Sequence, residues 1–364
     1  MRGRQLGVWK TGAGVGLVAA VLIALGGAAA DSLPALLGRD LPLGFPPVVA
    51  PDENPLTPAK AALGERLFFD PSLSSDGKIS CASCHLPQHA FADKLPLSLG
   101  IDGQAGLRNS PSILNAAYSP RLLWDGASLG LEDQVRYPVT HRKEMNMTNT
   151  KLIKAVEANP AYRPLMAAAF GDEKVTYERV SHAIASFERT LIAGNSAFDR
   201  FFFANDQAAL SPAARRGWDL FQGKAGCAQC HRFTRESPFF TDFEFYNLGV
   251  GWAAPKPDLG RYDVTKDKAD RGRFRTPSLR DVALTAPYMH DGSLATLGDV
   301  VTFFERGGLP NNYLDPRIQP FQLSPEERAD LIAFLESLSS SYEYRPPEQR
   351  AAEPPAAPAS TKGR

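Results

Sequence analysis

The chain has little cysteine, little histidine and no net charge. Its 364 residues hold four cysteines, six histidines and five methionines, and forty basic residues balance forty acidic ones. With no overall basic field, nothing points to nucleic acid, and a protein partner would be met through a local patch. Strand signals are sparse, and the one long apolar run is residues 11–30. The scarce cysteines become informative through their placement. All four fall in two strings of one form, CASCH at Cys81, Cys84 and His85, and CAQCH at Cys227, Cys230 and His231. Thiols at this spacing reach the two vinyl groups of one porphyrin, and the histidine that follows lies under the iron as an axial ligand. The strings therefore read as two covalently attached c-type haems, with His85 and His231 on the two irons. A four-cysteine zinc site would leave both histidines unexplained, a thioredoxin-like motif does not require them, and a disulfide pair would not repeat the pentapeptide.

The ends bound the folded part. A basic opening, MRGRQLGVWK, precedes the apolar run, which closes on Ala28-Ala29-Ala30 before Asp31. This is the form of an export signal with a small-residue cleavage site, although about 20 apolar residues also suffice for an uncleaved anchor. Haem attachment and export agree on the periplasm or an equivalent space. Residues 343–364, rich in Pro and Ala, read as a disordered tail. Between them lie a lead segment at 31–57, a first haem domain at 58–205 and a second at 206–342.

The two haem strings are not the only echo. Gly64-x-x-Leu67-Phe68 precedes the first and Gly217-x-x-Leu220-Phe221 the second. Ser110-Pro111-Ser112 answers Thr276-Pro277-Ser278, and WDGASLGLEDQV from Trp124 aligns without a gap on HDGSLATLGDVV from His290. Matches in one order imply an internal duplication. The fold class expected is mainly α, two cytochrome c-like haem domains. Val180, Ile184, Phe187 and Leu191 recur at helical spacing, and Ser324-Pro325-Glu326-Glu327 opens a terminal helix with an N-cap and acidic residues at the positive end. His182 reads as a packing or surface residue, and residues 256–275, mixed in charge, as a solvated loop over the second module.

Several longer strings carry a family resemblance: LFFDPSLSSDGKISCASCH, GLRNSPSILNAAY, WDGASLGLEDQ, the Glu144-Met145 pair, FRTPSLRDVALTAPYMHDG and LSPEERADLIAFLESL. In order and spacing, over about residues 58–340, the chain resembles the bacterial di-haem cytochrome c peroxidases and their relative MauG, which oxidises tryptophans of a partner protein. The resemblance makes the first haem the peroxide site and the second the place where electrons enter and charge is stored. It puts Trp124 between the haems, Gln134 and Glu144 in the peroxide pocket and Pro138 over the first iron. It also gives Asn109, Thr285 and Pro287 to a calcium ion, two of them through carbonyl oxygens, which suits a hard cation. A pocket carboxylate such as Glu144 can take a proton from the inner peroxide oxygen and return it to the departing one. Gln134 can orient peroxide but not exchange protons.

Two departures from the family pattern matter. Where peroxidases that need reductive activation carry a loop histidine blocking the first iron, this chain has Ile101, and His89 stays close in the chain to the proximal side. The first iron should therefore be open at rest, as in the MauG branch. Counting from the paired aspartates, Phe304 falls where Pro138 falls in the first module, so a phenylalanine should stand over the second iron in place of the family's Met or Tyr. Either that iron has no strong sixth ligand, or Tyr313, Met289 or His290 supplies it.

Three functions are in view. The first is a di-haem peroxidase that reduces hydrogen peroxide with electrons from a small cytochrome or copper protein. The second is a MauG-like enzyme using high-valent haem to oxidise Trp or Tyr of a partner protein, and the third a pure electron-transfer cytochrome. An open first site with Gln134 and Glu144 beside it argues against the third, since a carrier gains nothing from an empty coordination position.

Overall fold

Four helices carry the architecture, and each begins where the chain supplies a cap. Thr57 accepts from the Lys60 amide ahead of the helix Pro58–Phe68, Thr176 from Arg179 ahead of Tyr177–Glu188, and Ser211 from Ala214 ahead of Pro212–Gln222. Before Pro325–Glu336, Ser324 and Glu327 form the reciprocal box expected from the sequence, with bonds of 3.1 and 2.7 Å. The computed structural model describes residues 40–346. The expected signal or anchor at 1–30 lies outside them, and no helix among the described residues is long and apolar enough to cross a membrane.

The helices pack in two pairs. Leu63, Leu67 and Phe68 meet Val180, Ile184 and Phe187, and Leu191 continues the stripe just past the helix end, all of them buried. In the second pair Ala214 and Phe221 meet Leu331, Phe334 and Leu335. The echoed glycines mark both crossings. A Cβ on Gly64 would lie 1.8 Å from the Ala183 carbonyl oxygen, and one on Gly217 would lie 2.0 Å from that of Asp330. The backbones touch at that point, and no residue with a side chain fits. The remainder is short helices and turns, with one two-stranded antiparallel ribbon, Phe245–Tyr246 against Phe274–Arg275, among the described residues.

Two boundaries differ from those expected. The helix Ala197–Phe203 belongs by sequence to the first domain, yet Phe198 is fully buried among Phe221, Phe240 and Phe334 of the second core. Asp199 on the same helix is wholly buried against Arg280. The chain thus changes core before residue 197, not at 205. The expected tail start at 343 is also too early, because Tyr344 stacks on Phe69 at 5.5 Å and its hydroxyl donates to Glu65 at 2.6 Å. Residues 347–364 lie outside the described set. In the lead segment, Phe45 and Leu56 join one apolar cluster with Ile192 and Phe239, so this segment bridges both cores.

The segment expected to be a solvated loop is instead a clasp between the modules. Asp258 takes two hydrogen bonds from Arg108 at 2.7 and 2.9 Å, and Arg108 reaches Asp125 at 2.6 Å. Arg261 donates to the carbonyls of Asp125 and Gly126 at 2.9 Å each. Charges of both signs, which alone suggest a solvated face, here find partners on the other module.

The contacts between modules are reciprocal. The Asn109 amide donates to the His290 carbonyl at 2.7 Å, and the Arg275 amide donates to the Trp124 carbonyl at 2.7 Å. In the alignment of the two halves expected from the sequence, Asn109 falls on Arg275 and Trp124 on His290, so the two bonds join equivalent positions of that alignment. The paired glycines behave alike. Gly126 (φ +68°) lies against Phe245 and Arg261, and Gly292 (φ +64°) lies against the backbone of Pro96, each on the opposite module and each at a distance that excludes a Cβ.

Candidate active site

Both CxxCH strings open onto one cavity of about 830 Å³, walled by residues of both modules and mostly apolar. Each string starts as a single 3₁₀ turn, Cys81–Ser83 and Cys227–Gln229, and its cysteines are partly buried and in no disulfide. Burial drives the thiols upward, Cys84 and Cys230 to about 11 and Cys227 to about 12. Thiols so disposed to stay protonated do not suit a redox nucleophile. No cluster of three or more His, Cys, Asp or Glu side chains that could hold a metal ion occurs among the described residues.

The two histidines are oriented identically. His85 Nδ1 lies 3.0 Å from the Phe91 carbonyl oxygen, and His231 Nδ1 lies 3.0 Å from that of Phe240. A carbonyl only accepts, so Nδ1 carries the proton and Nε2 keeps its lone pair, the state a metal ligand needs. Burial lowers both pKa values, which also favours the neutral ring. Serines brace the same carbonyl-bearing segments: Ser112 donates to Ala90 at 2.6 Å and Ser278 to Phe239 at 2.7 Å. This donor set fits two c-type haems.

The residues expected on the far side of the first haem line the same cavity. The short helices Leu131–Gln134 and Arg136–Thr140 bury Leu131, Val135 and Val139, and turn Gln134 and Pro138 to the cavity. Glu132 fixes them to the core through paired bonds from Arg189 at 2.5 and 2.8 Å and one from Asn54 at 2.7 Å. Past the second helix the chain turns tightly, with the Glu144 amide donating to the His141 carbonyl at 3.0 Å. The Ile101 amide then donates to the Glu144 carbonyl at 2.9 Å. Burial raises the pKa of Glu144, the direction a proton-exchanging carboxyl requires, against the opposing charge of His141.

His141 is the residue sequence reasoning missed. Its Nδ1 is buried and lies 3.0 Å from Glu144 Oε1, near enough to pair but out of line for a hydrogen bond. The available signal was a histidine three residues before the pocket glutamate. Glu188 was also missed. It lines the cavity beside the first string, and burial raises its pKa to about 8.

Ile101 is buried and is not part of the cavity wall, and His89 does not reach the cavity either. Trp124 does line it, with its indole nitrogen donating to the Asn109 carbonyl at 2.8 Å and its ring 6.4 Å from His290 in an edge contact. Asn109, Thr285 and Pro287 lie in the wall, as does Phe304. Of the alternatives for the second iron, Met289 and His290 line the cavity. Tyr313 does not; it meets Arg271 and Trp252 instead. His290 is stacked on Phe274 at 3.6 Å, and burial lowers its pKa to about 4.

Across residues 58–208 the chain matches the family model described as di-haem cytochrome c peroxidase. It is 42% identical over 291 residues to the methylamine utilization protein MauG of Methylorubrum extorquens, covering 80% of this chain and 81% of that protein. It is 38% identical over 353 residues to the cytochrome-c peroxidase IdrP1 of Denitromonas iodatirespirans, covering 88% and 91%. A crystal structure of a MauG-like protein associated with microbial copper homeostasis superposes with a TM-score of 0.75 at 35% identity, over 83% of this chain and 95% of that one.

Proposed function

The chain belongs to the family of di-haem cytochrome c peroxidases and MauG, peroxidase-type oxidoreductases, and from that premise we propose that it reduces hydrogen peroxide beside His85 with electrons delivered through the His231 site. The observation that carries this reading is the grouping of Glu144, Gln134 and Pro138 in the cavity wall shared with His85, and the sequence register, which gives Ile101 and no histidine at the loop position, supports it. Cys81 and Cys84 would hold one haem c and Cys227 and Cys230 the other. When bound, the first haem supplies the redox centre at which peroxide is cleaved. Gln134 orients peroxide through its amide. Glu144 takes the proton of the inner oxygen and delivers it to the departing one, so that peroxide, two electrons and two protons give two waters. Trp124, bonded to both modules, is placed to carry electrons between them.

A second reading has support of its own. Likeness to MauG at 42% identity and the missing loop histidine both favour oxidation of Trp or Tyr in a partner protein. In the peroxidase reading the electron donor is a small cytochrome or copper protein. We place the enzyme in the periplasm, from its haem strings and apolar leader. Asn109, Thr285 and Pro287 would hold calcium, and Phe304 would cover the second iron without ligating it. The reciprocal bonds at Asn109, Trp124, Arg275 and His290 support an internal duplication.

Stopped-flow mixing of the fully oxidised holoprotein with peroxide tests the proposal. A prompt change in haem absorbance is expected, followed by turnover of a reduced cytochrome if the peroxidase reading holds. Reaction only after one-electron reduction would overturn the open first site.

A further inference from the structure

We propose that His141 is the positioning and proton-relay residue through which the Glu144 carboxyl is supplied with the two protons consumed as peroxide is reduced to water. The inference rests on the peroxide reading above and extends it to a residue that reading does not use. Cleavage itself is proton-neutral, since the carboxyl returns the proton it has just taken, but reduction of the remaining oxygen to water consumes two protons from solvent. A second group beside the carboxyl can bring these in. Imidazole suits the task because it can gain a proton at one nitrogen while losing one from the other.

The geometry singles out His141. It closes the helix Arg136–Thr140, its amide donating to the Tyr137 carbonyl at 3.0 Å, and the next turn brings Glu144 back beneath it. Nδ1 is buried and lies 3.0 Å from Glu144 Oε1, and both side chains keep part of their surface exposed, 32% for His141 and 40% for Glu144. Contacts in this off-line state tighten when substrate arrives. Both side chains line the cavity that holds Gln134 and Pro138.

Among the described residues no other group competes for the carboxyl. Lys143 turns its ammonium to the Ala105 carbonyl at 3.4 Å. Tyr137, also in the wall, gives its hydroxyl proton to the Ala127 carbonyl at 2.8 Å. Cys84 faces Glu144 across the cavity and becomes an uncharged thioether once haem is attached. From the loop packed on Glu144, Gly100 and Ile101 contribute only backbone. The charge of His141 draws the carboxyl pKa down against burial, so the two protonation states are linked.

The test uses the holoprotein and two readouts. The first is the C–O stretch of the reduced protein with carbon monoxide at the first haem, followed from about pH 5 to 8. A pH-dependent shift is expected in the wild type and should vanish in both His141→Asn and Glu144→Gln. The second is the steady-state rate of peroxide reduction by a reduced electron donor over the same range. His141→Asn should slow it at least about tenfold and flatten its pH profile, a smaller loss than the roughly 10² to 10⁴-fold expected for Glu144→Gln. Unaltered pH dependence of both stretch and rate in His141→Asn would overturn the relay. A wild type that does not react with peroxide would overturn the function proposed above, and the stretch would still report on the pair. Haem content and absorption spectrum identify any variant that misfolds, and His141→Gln then serves as the second substitution.

Discussion

Replacing Asp199 with Asn should unfold the second module far more easily than its conservative chemistry suggests. Both side chains of the Asp199–Arg280 pair are shut off from solvent, at 0 and 2% exposure, and they bond twice, at 2.8 and 2.9 Å. The remaining bonds hold Arg280 in place: Nε donates to the Pro238 carbonyl at 2.7 Å, and the guanidinium lies over the Phe45 ring. An arginine cannot escape by losing its proton. The asparagine would either present an NH₂ to a guanidinium nitrogen, donor against donor, or give up the bond that Asp199 Oδ2 accepts from the Ser196 amide at 3.0 Å. Breaking one side of such a pair costs about 3–5 kcal/mol, a third or more of the roughly 5–15 kcal/mol that holds a typical domain. Urea titration of the holoprotein, followed by far-ultraviolet circular dichroism, should show the midpoint fall by about 1 M or more at ordinary slopes. Removing both charges in Asp199→Leu with Arg280→Met should recover most of that loss. A loss below about 1 kcal/mol in Asp199→Asn would refute the reasoning, because it would mean that the buried guanidinium finds water or another anion.

Gly64→Ala should prevent the first helix pair from closing, since the Ala183 carbonyl occupies the place of its Cβ; overpacking costs about 1–3 kcal/mol or more, and soluble holoprotein of wild-type stability would contradict it. Glu188 keeps its proton in the folded protein up to about pH 8, whereas in the unfolded chain it loses it near 4.5. Folding stability should therefore fall as pH rises through that window, and Glu188→Gln should remove this part of the slope in denaturant titrations at several pH values. Phe304→Met should bring a sulfur ligand to the second iron and shift the low-temperature electron paramagnetic resonance signal of that haem alone; an unchanged spectrum would show that another side chain holds the position.

Much of the site could be read from the chain because its signals are local. Each haem string is a pentapeptide, the Ser324 box spans four residues, and the stripe from Val180 to Leu191 needs only helical periodicity. Gln134, Pro138 and Glu144 came from resemblance, and they do share a wall with His85. The rest depends on pairing between distant residues. Arg108 and Asp258 are far apart in the chain, and nothing local distinguishes their charges from a solvated face. Phe198 sits in an aromatic run that would suit either core, and the choice is made by Phe240 and Phe334, which come later in the chain. Tyr344 followed too closely on a Pro/Ala-rich tail for its packing on Phe69 to be expected. His141 was overlooked for the opposite reason, being so near Glu144 that it passed for part of its flank.

The reciprocal bonds between Asn109 and His290 and between Arg275 and Trp124 have a historical consequence. An interface in which one patch meets its own image is the kind that closes a homodimer about a twofold axis. On the duplication proposed above, the ancestor would have been a pair of identical single-haem chains, and fusion placed both copies at a fixed, high effective concentration. Fusion also ended their obligation to stay alike. In a homodimer a tryptophan at this register would appear on both sides and both distal positions would change together. In one chain, Trp124 can face His290, and the register that holds Pro138 in one half can hold Phe304 in the other. The halves expressed separately and mixed would register that ancestry as association whose strength varies with concentration, and failure to associate would leave the symmetry without an ancestor.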